Sequence, residues 1–222
     1  MAAQKEASMQ HQAYRFIRQK IANCEYVPYQ MLSESLLQEE LGFSRTPVRE
    51  AIGRLAQEGL LQVFPKRGIM VSGISISDIH QIFEVRSLLE PYALRTYYKN
   101  LNLNEVEHYS KQFHSYMEMP QQDVDFFALD DAFHALLLST LENDYMIDLY
   151  DRIRTQSSRL RIMSGKFIEL RVMRTMEEHA SIADACLAQD WEKAAQAMVM
   201  HLKYSKESSL ATILTNSPPN IC

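Results

Sequence analysis

Apolar residues recur at helical spacing along most of the chain. Tyr14, Ile17 and Ile21 fall at i, i+3 and i+7, which predicts a helix over 9–23. Pro28 closes that region. Ser33 is placed to cap a second helix through Leu41, with Leu36, Leu37 and Leu41 as its apolar positions. Gly42 supplies a turn. Ser44 opens a third helix to about Gln57, on which Val48, Ile52 and Leu55 form the buried stripe, and Gly59 follows as its stop. The pattern then changes. Leu60–Phe64 and Ile69–Val71 are short β-prone runs around Pro65-Lys66-Arg67-Gly68, which is a hairpin signal. Three helices followed by a hairpin is the order of a winged helix-turn-helix.

Ser72–Ser77 is small and polar, and the pattern beyond it is again helical. Ser77 can cap a helix over 78–99, and further helices are expected over about 103–118, 124–141, 144–163, 167–188 and 190–213. Asn143, Gly165 and Asp190 sit at the breaks, and Pro91 is expected to kink or bend the first of these helices. The predicted fold is mainly α. A winged helix-turn-helix over 1–73 and a linker at 74–77 precede an all-helical antiparallel bundle over 78–215, and a loose tail occupies 216–222.

Composition agrees with helices: 222 residues hold only six glycines and seven prolines. The net charge of −5 argues, by itself, against a nucleic-acid partner. The average hides a split. Residues 1–73 carry nine Lys/Arg against seven Asp/Glu, whereas the remainder carries 14 against 21 and six of the seven histidines. Two parts with different tasks follow from that. Cys24, Cys186 and Cys222 form no C-x-x-C pair and are odd in number, so a disulfide framework or thiolate zinc site is not expected and a reducing cytoplasm fits. No secretory leader is visible, and no apolar run reaches the roughly 20 residues of a membrane span.

Arg45 and Arg49 are four apart in the third helix and share a face with Thr46, away from the Val48/Ile52/Leu55 stripe. One side of this helix can pack while the other presents two guanidiniums, which read guanine edges or clamp phosphates. Lys66 and Arg67 at the hairpin tip suit phosphates or the minor groove. A solvated basic face on an ordinary helical domain would use the same residues.

The stretch Ser44-Arg-Thr-Pro-Val-Arg-Glu-Ala51, the Glu58-Gly-Leu60 step and the Lys66-Arg-Gly68 wing resemble the DNA-binding domain of the GntR family of bacterial transcription regulators. The resemblance covers about residues 9–72. It implies operator contacts from Arg45, Thr46, Arg49 and Gly68, with double-stranded, pseudo-palindromic DNA as partner. Ser35 departs from the pattern, which usually has a basic residue there, so an operator contact is expected to differ.

In the second part Asp130 and His134 lie at i, i+4, and His179 and His201 lie mid-helix with apolar neighbours. Three imidazoles and a carboxylate suit Zn²⁺, Ni²⁺ or a similar ion. From spacing alone, histidines packed in a core are the commoner reading of such a pattern. Residues 78–213 also resemble the helical FCD effector domain of FadR-type GntR regulators. The resemblance rests on Ile82-Phe-Glu-Val-Arg86-x-x-Leu89-Glu90, Asp130-x-x-Phe133-His134, Glu178-His179-x-x-Ile182 and Met200-His201-Leu202. It implies one divalent ion on Asp130, His134, His179 and His201, with a small organic acid beside it and a homodimeric repressor as the functional unit. Arg86 is the first candidate to pair with that acid, followed by Arg161 and Arg159. The alternative for Arg86 is a structural ion pair with Glu90 at i+4. Asp131 points away from Asp130 on a helix, and His80, His108 and His114 match nothing. Two other classes stand beside this reading. One is a metal-dependent enzyme acting on a small carboxylate, for which no general base is evident. The other is a DNA-binding protein whose helical domain only dimerises.

Overall fold

A computed structural model describes residues 2–119, 125–165 and 169–216. The chain divides into two compact units, Met1–Ile74 and Ser75–Cys222.

The first unit contains α1 (Ala2–Ala22), β1 (Met31–Leu32), α2 (Glu34–Leu41), α3 (Arg45–Gln57), β2 (Leu61–Phe64) and β3 (Gly68–Val71). Ser33 caps α2 by accepting from the Leu36 amide, and Gly42 ends it in the left-handed region at φ 66°. Ser44 stands at the α3 N-cap position without a side-chain cap bond. Ile17 and Ile21 of α1, Leu37 of α2 and Val48, Ile52 and Leu55 of α3 meet Leu61, Ile69 and Val71 of the strands in one core. Leu36, in contrast, is exposed. The sheet has order β1-β3-β2 and both pairings are antiparallel, with Leu32 opposite Ile69 and Phe64 opposite Gly68. The hairpin is therefore three-stranded, because the edge of β3 recruits Met31–Leu32.

The second unit is helical: α4 (Ile76–Thr96), a 3-10 turn (Tyr98–Asn100), α5 (Leu103–Glu118), α6 (Phe126–Leu138), α7 (Asp144–Gly165), α8 (Glu169–Leu187) and α9 (Trp191–Asn216). α4 packs chiefly on α9, and α5 and α9 both pack on α8. The cap of α4 is Ser75, not Ser77. Ser75 accepts from the Asp78 amide while the Asp78 carboxylate accepts from the Ser75 amide, a capping box that shortens the expected linker. α4 continues through Pro91. The expected tail overlaps α9 at Asn216, and 217–222 lie outside the described residues. Among the described residues no helix is long and apolar enough to cross a membrane.

Candidate nucleic-acid interface and metal centre

In the first unit α3 buries Val48, Ile52 and Leu55 and leaves Arg45, Thr46 and Arg49 exposed. Glu34, the first residue of α2, faces these arginines. The Arg49 Nε–H is shared between both Glu34 carboxylate oxygens at 2.9 Å each, and Arg45 Nε lies 3.8 Å from Glu34. The sequence reading missed this acid. Lys66 and Arg67 are exposed in the turn between β2 and β3, with Lys66 at φ 62°. Gly68 is required by its backbone: it sits at φ 115°, and a Cβ there would stand 3.1 Å from the Leu32 carbonyl oxygen.

In the second unit four elements converge. α6 supplies Asp130 and His134, α8 supplies His179, α9 supplies His201 and α4 supplies Arg86 and Glu90. Asp130 and the three histidines are each at most 2% exposed. The three rings offer nitrogen atoms within 4.8 Å of one another. His179 Nε2 is 3.4 Å from His201 Nε2 and 3.8 Å from Asp130 Oδ2, and His134 Nε2 is 3.8 Å from Asp130 Oδ1. Donors about 2.1 Å from one ion in a tetrahedron stand about 3.4 Å apart. The His179–His201 separation matches this, whereas the two Asp130 distances run to different carboxylate oxygens, and among the described residues only the three histidines have donor atoms all within 4.8 Å of one another.

Protonation fits as well. His134 Nδ1 is 2.8 Å from Glu90 Oε2, and His201 Nδ1 is 2.7 Å from Glu178 Oε2. A carboxylate acceptor places the proton on Nδ1 and leaves Nε2 with its lone pair. Burial pushes the pKa values of His179 and His201 well below the ordinary imidazole value, and neighbouring imidazoles push in the same direction. Among the described residues, the buried His179 Nδ1 has no hydrogen-bond partner. The lowered values of His179 and His201 favour neutral rings with free lone pairs, as metal ligation requires.

The three candidate arginines lie differently. Arg86 is buried; its Nε donates to Glu90 Oε1 at 2.6 Å, and Nη2 is 3.4 Å from His134 Nε2. This is the i+4 ion pair that the sequence offered as an alternative. Burial opposes the charge of Glu90, but Arg86 and His134 outweigh it and hold the carboxyl well below the usual range. Arg161 Nε is 2.7 Å from Asp130 Oδ1, though the N–H is not aimed at that oxygen. Arg161 also reaches Asp131, which is held further by Arg154 and Ser158. Arg159 is buried and donates to Gln156. A small cavity of about 40 Å³ beside the cluster is lined by Arg86, Asp130 and Arg161, and also by Arg171, Thr175 and Ser209; Arg159 is not on its wall. Arg171 pairs with Glu178 at 2.6 Å, and burial lifts Glu178 above the usual carboxylate value even so. Sequence reasoning passed over Arg171, although its spacing of seven from Glu178 puts both on one helix face. His80, His108 and His114 are exposed, and His114 pairs with Asp184.

A winged head with arginines on its third helix, carried on a helical unit with a buried histidine cluster, is the build of a transcription regulator rather than of a catalyst. The chain belongs to the GntR family of bacterial regulatory proteins, in the branch with an FCD domain: the gntR family pattern matches residues 9–71 and the FCD domain residues 81–204. It is 30% identical over 200 residues to the HTH-type transcriptional repressor RspR of Escherichia coli K12, covering 89% of this chain and 87% of that one. Against the gluconate operon transcriptional repressor of Bacillus subtilis it is 26% identical over 160 residues, covering 69% and 63%. The solved structure of E. coli McbR/YncC shares its fold, with a TM-score of 0.78 at 18% identity over 91% of this chain and 97% of that one. Relatives and family are regulators, which removes the enzyme reading.

Proposed function

We propose that this chain is a cytoplasmic, homodimeric repressor whose grip on a pseudo-palindromic operator is set by a small organic acid bound beside a divalent ion. Arg45, Thr46 and Arg49 read the major groove, and Lys66, Arg67 and Gly68 of the wing contact the backbone or minor groove. Asp130, His134, His179 and His201 hold one ion, zinc or nickel. The observation that carries this reading is three fully buried imidazoles with converging nitrogens at ligand spacing.

A divalent ion held by these residues would supply fixed positive charge beside the cavity, and would take a carboxylate oxygen by expanding beyond four ligands. The chain's own residues do the rest. Arg86, Arg161 and Arg171 give the cavity its preference for anions. Thr175 and Ser209 offer hydroxyls to a hydroxylated acid. Arg159 donates to Gln156 and is not on the cavity wall, so it is the weakest of the three sequence candidates for the acid. That one relative is named for the gluconate operon agrees with an acid of this kind. Effector control then requires the acid to bind one arrangement of the two heads better than another.

The test has two parts. Elemental analysis of purified protein should give one divalent ion per chain. A gel-shift titration at fixed salt should show operator affinity changing with the ion and with members of a panel of hydroxy and sugar acids. Stoichiometric absence of metal, or operator affinity indifferent to every acid, would favour a helical unit that only dimerises.

A further inference from the structure

Two hydrogen-bonded chains of identical composition reach the histidine cluster. On α4, the Arg86 Nε donates to Glu90 Oε1 at 2.6 Å, and Glu90 Oε2 stands 2.8 Å from His134 Nδ1 on α6. On α8, Arg171 donates to both oxygens of Glu178 at 2.6 and 3.0 Å, and Glu178 Oε2 stands 2.7 Å from His201 Nδ1 on α9. Arg86, Glu90, His134 and His201 are nearly inaccessible, and the side chains of Arg171 and Glu178 are 13% and 16% exposed. Among the described residues His179 has no such chain, and its Nδ1 finds no hydrogen-bond partner.

We propose that Glu90 and Glu178 are positioning residues for the ion site, and that Arg86 and Arg171 hold them in place. The inference rests on the metal reading above. Its physical content is the tautomer. A neutral imidazole carries one N–H, and an isolated ring can place it on either nitrogen. A buried carboxylate against Nδ1 fixes the proton there, locks the ring orientation and leaves Nε2 as a more basic donor. Each carboxylate would itself be an uncompensated buried charge without its arginine. Each arginine, in turn, lies on the wall of the cavity. Two of the three imidazoles are thus prepared before any ion arrives, and His179 is prepared only by packing.

The experiment uses the full chain. In metal-free protein with ¹⁵N-labelled histidine, long-range ¹H–¹⁵N spectra should show His134 and His201 as the Nδ1–H tautomer. In Glu178→Gln the His201 signals should shift toward mixed tautomers. Affinity for Zn²⁺ alone, read by competition with a chromophoric chelator, should fall about 10- to 100-fold in Glu178→Gln and in Glu90→Gln. Glu178→Asp, which keeps the charge, should recover part of the loss. If Glu90→Gln does not fold because Arg86 is left unpaired, Glu178→Gln decides the matter. Wild-type His134 and His201 in the Nε2–H form would overturn the proposal, as would a folded Glu178→Gln with unchanged tautomer and Zn²⁺ affinity. A wild type with the expected tautomers that takes up no Zn²⁺ removes the metal reading and this proposal's role for the glutamates with it, whereas Zn²⁺ uptake with the wrong tautomers removes only the latter.

Discussion

Replacing Arg49 with Ala separates base reading from phosphate attraction. Arg49 is 58% exposed and its ion-pair partner Glu34 34%, so the pair adds only about 0–1 kcal/mol to stability and the variant should fold. A bidentate arginine–guanine contact discriminates by about 1–3 kcal/mol, so two heads on a pseudo-palindrome lose about 2–6 kcal/mol between them. At tenfold per 1.4 kcal/mol that is roughly 30-fold to 10⁴-fold in operator affinity. The assay is fluorescence anisotropy on an operator selected from random duplexes, beside a scrambled duplex, over a series of salt concentrations. Operator affinity should collapse toward that of the scrambled duplex, which itself should weaken little. Lys66→Ala provides the contrast. It should weaken both duplexes alike and reduce the slope of log affinity on log salt by about one per head. If Arg49→Ala weakens operator and scrambled DNA by the same factor, Arg49 is a phosphate contact and the assignment of the reading face fails.

Leu37 is fully buried in the core of the first unit, so Leu37→Ala should cost about 2–5 kcal/mol in urea unfolding, and a cost under about 1 kcal/mol would contradict that packing. Burial pushes the Cys186 thiol up to about 12. The folded state therefore favours the neutral thiol; this contribution is intact below the unfolded thiol value of about 8.5 and is lost as pH rises from there toward 12. At pH 8.5 iodoacetamide should modify Cys186 only after denaturant is added, as read by peptide mass spectrometry, and equal rates in native protein would refute the burial. Zn²⁺ at 100 times its dissociation constant should add about 2.7 kcal/mol to unfolding of wild type, a chelator should remove that increment, and His179→Ala should show none of it by calorimetry.

Most of the fold was legible because it rests on local rules. The Val48/Ile52/Leu55 stripe, Gly42 in its left-handed cap and the basic turn before Gly68 each carry their signal within a few residues. What was not legible depends on partners distant in sequence. Met31–Leu32 is too short to show alternation and is a strand only because β3 presents an edge. The α4 cap fell on Ser75 rather than Ser77 because a capping box needs its acid three residues on, at Asp78. The same holds at the candidate site. Asp130, His134, His179 and His201 could be picked out as candidates by residue type and place, but their spacing fitted packed core histidines too, and only the resemblance turned them into a ligand set. Glu90 read as a partner for Arg86, but nothing in the sequence aims its second oxygen at His134, 44 positions away. Arg171 stood out least, since its value comes from Glu178 and from a cavity wall assembled by several helices.

The net charge of −5 argued against DNA only because it averaged two units with different work. Even so, the first unit has merely nine Lys/Arg for seven Asp/Glu, and one of those acids, Glu34, engages Arg45 and Arg49 directly. On nonspecific DNA, where no base edge displaces it, the acid stays on these arginines and weakens their attraction to phosphate, whereas a guanine contact in the operator would displace it from Arg49. It also costs little to displace, being a half-exposed pair, and it draws on the Nε edge of Arg49, not on the terminal nitrogens that form a guanine fork. The quantity a regulator needs is the ratio of specific to nonspecific binding, because nonspecific sites outnumber operators by many orders of magnitude. If Arg45 and Arg49 read the operator, a weakly charged head with an acid beside them would raise that ratio by depressing the denominator. Glu34→Gln should therefore strengthen binding to scrambled DNA more than binding to operator, and an equal gain on both would show that Glu34 contributes no selectivity.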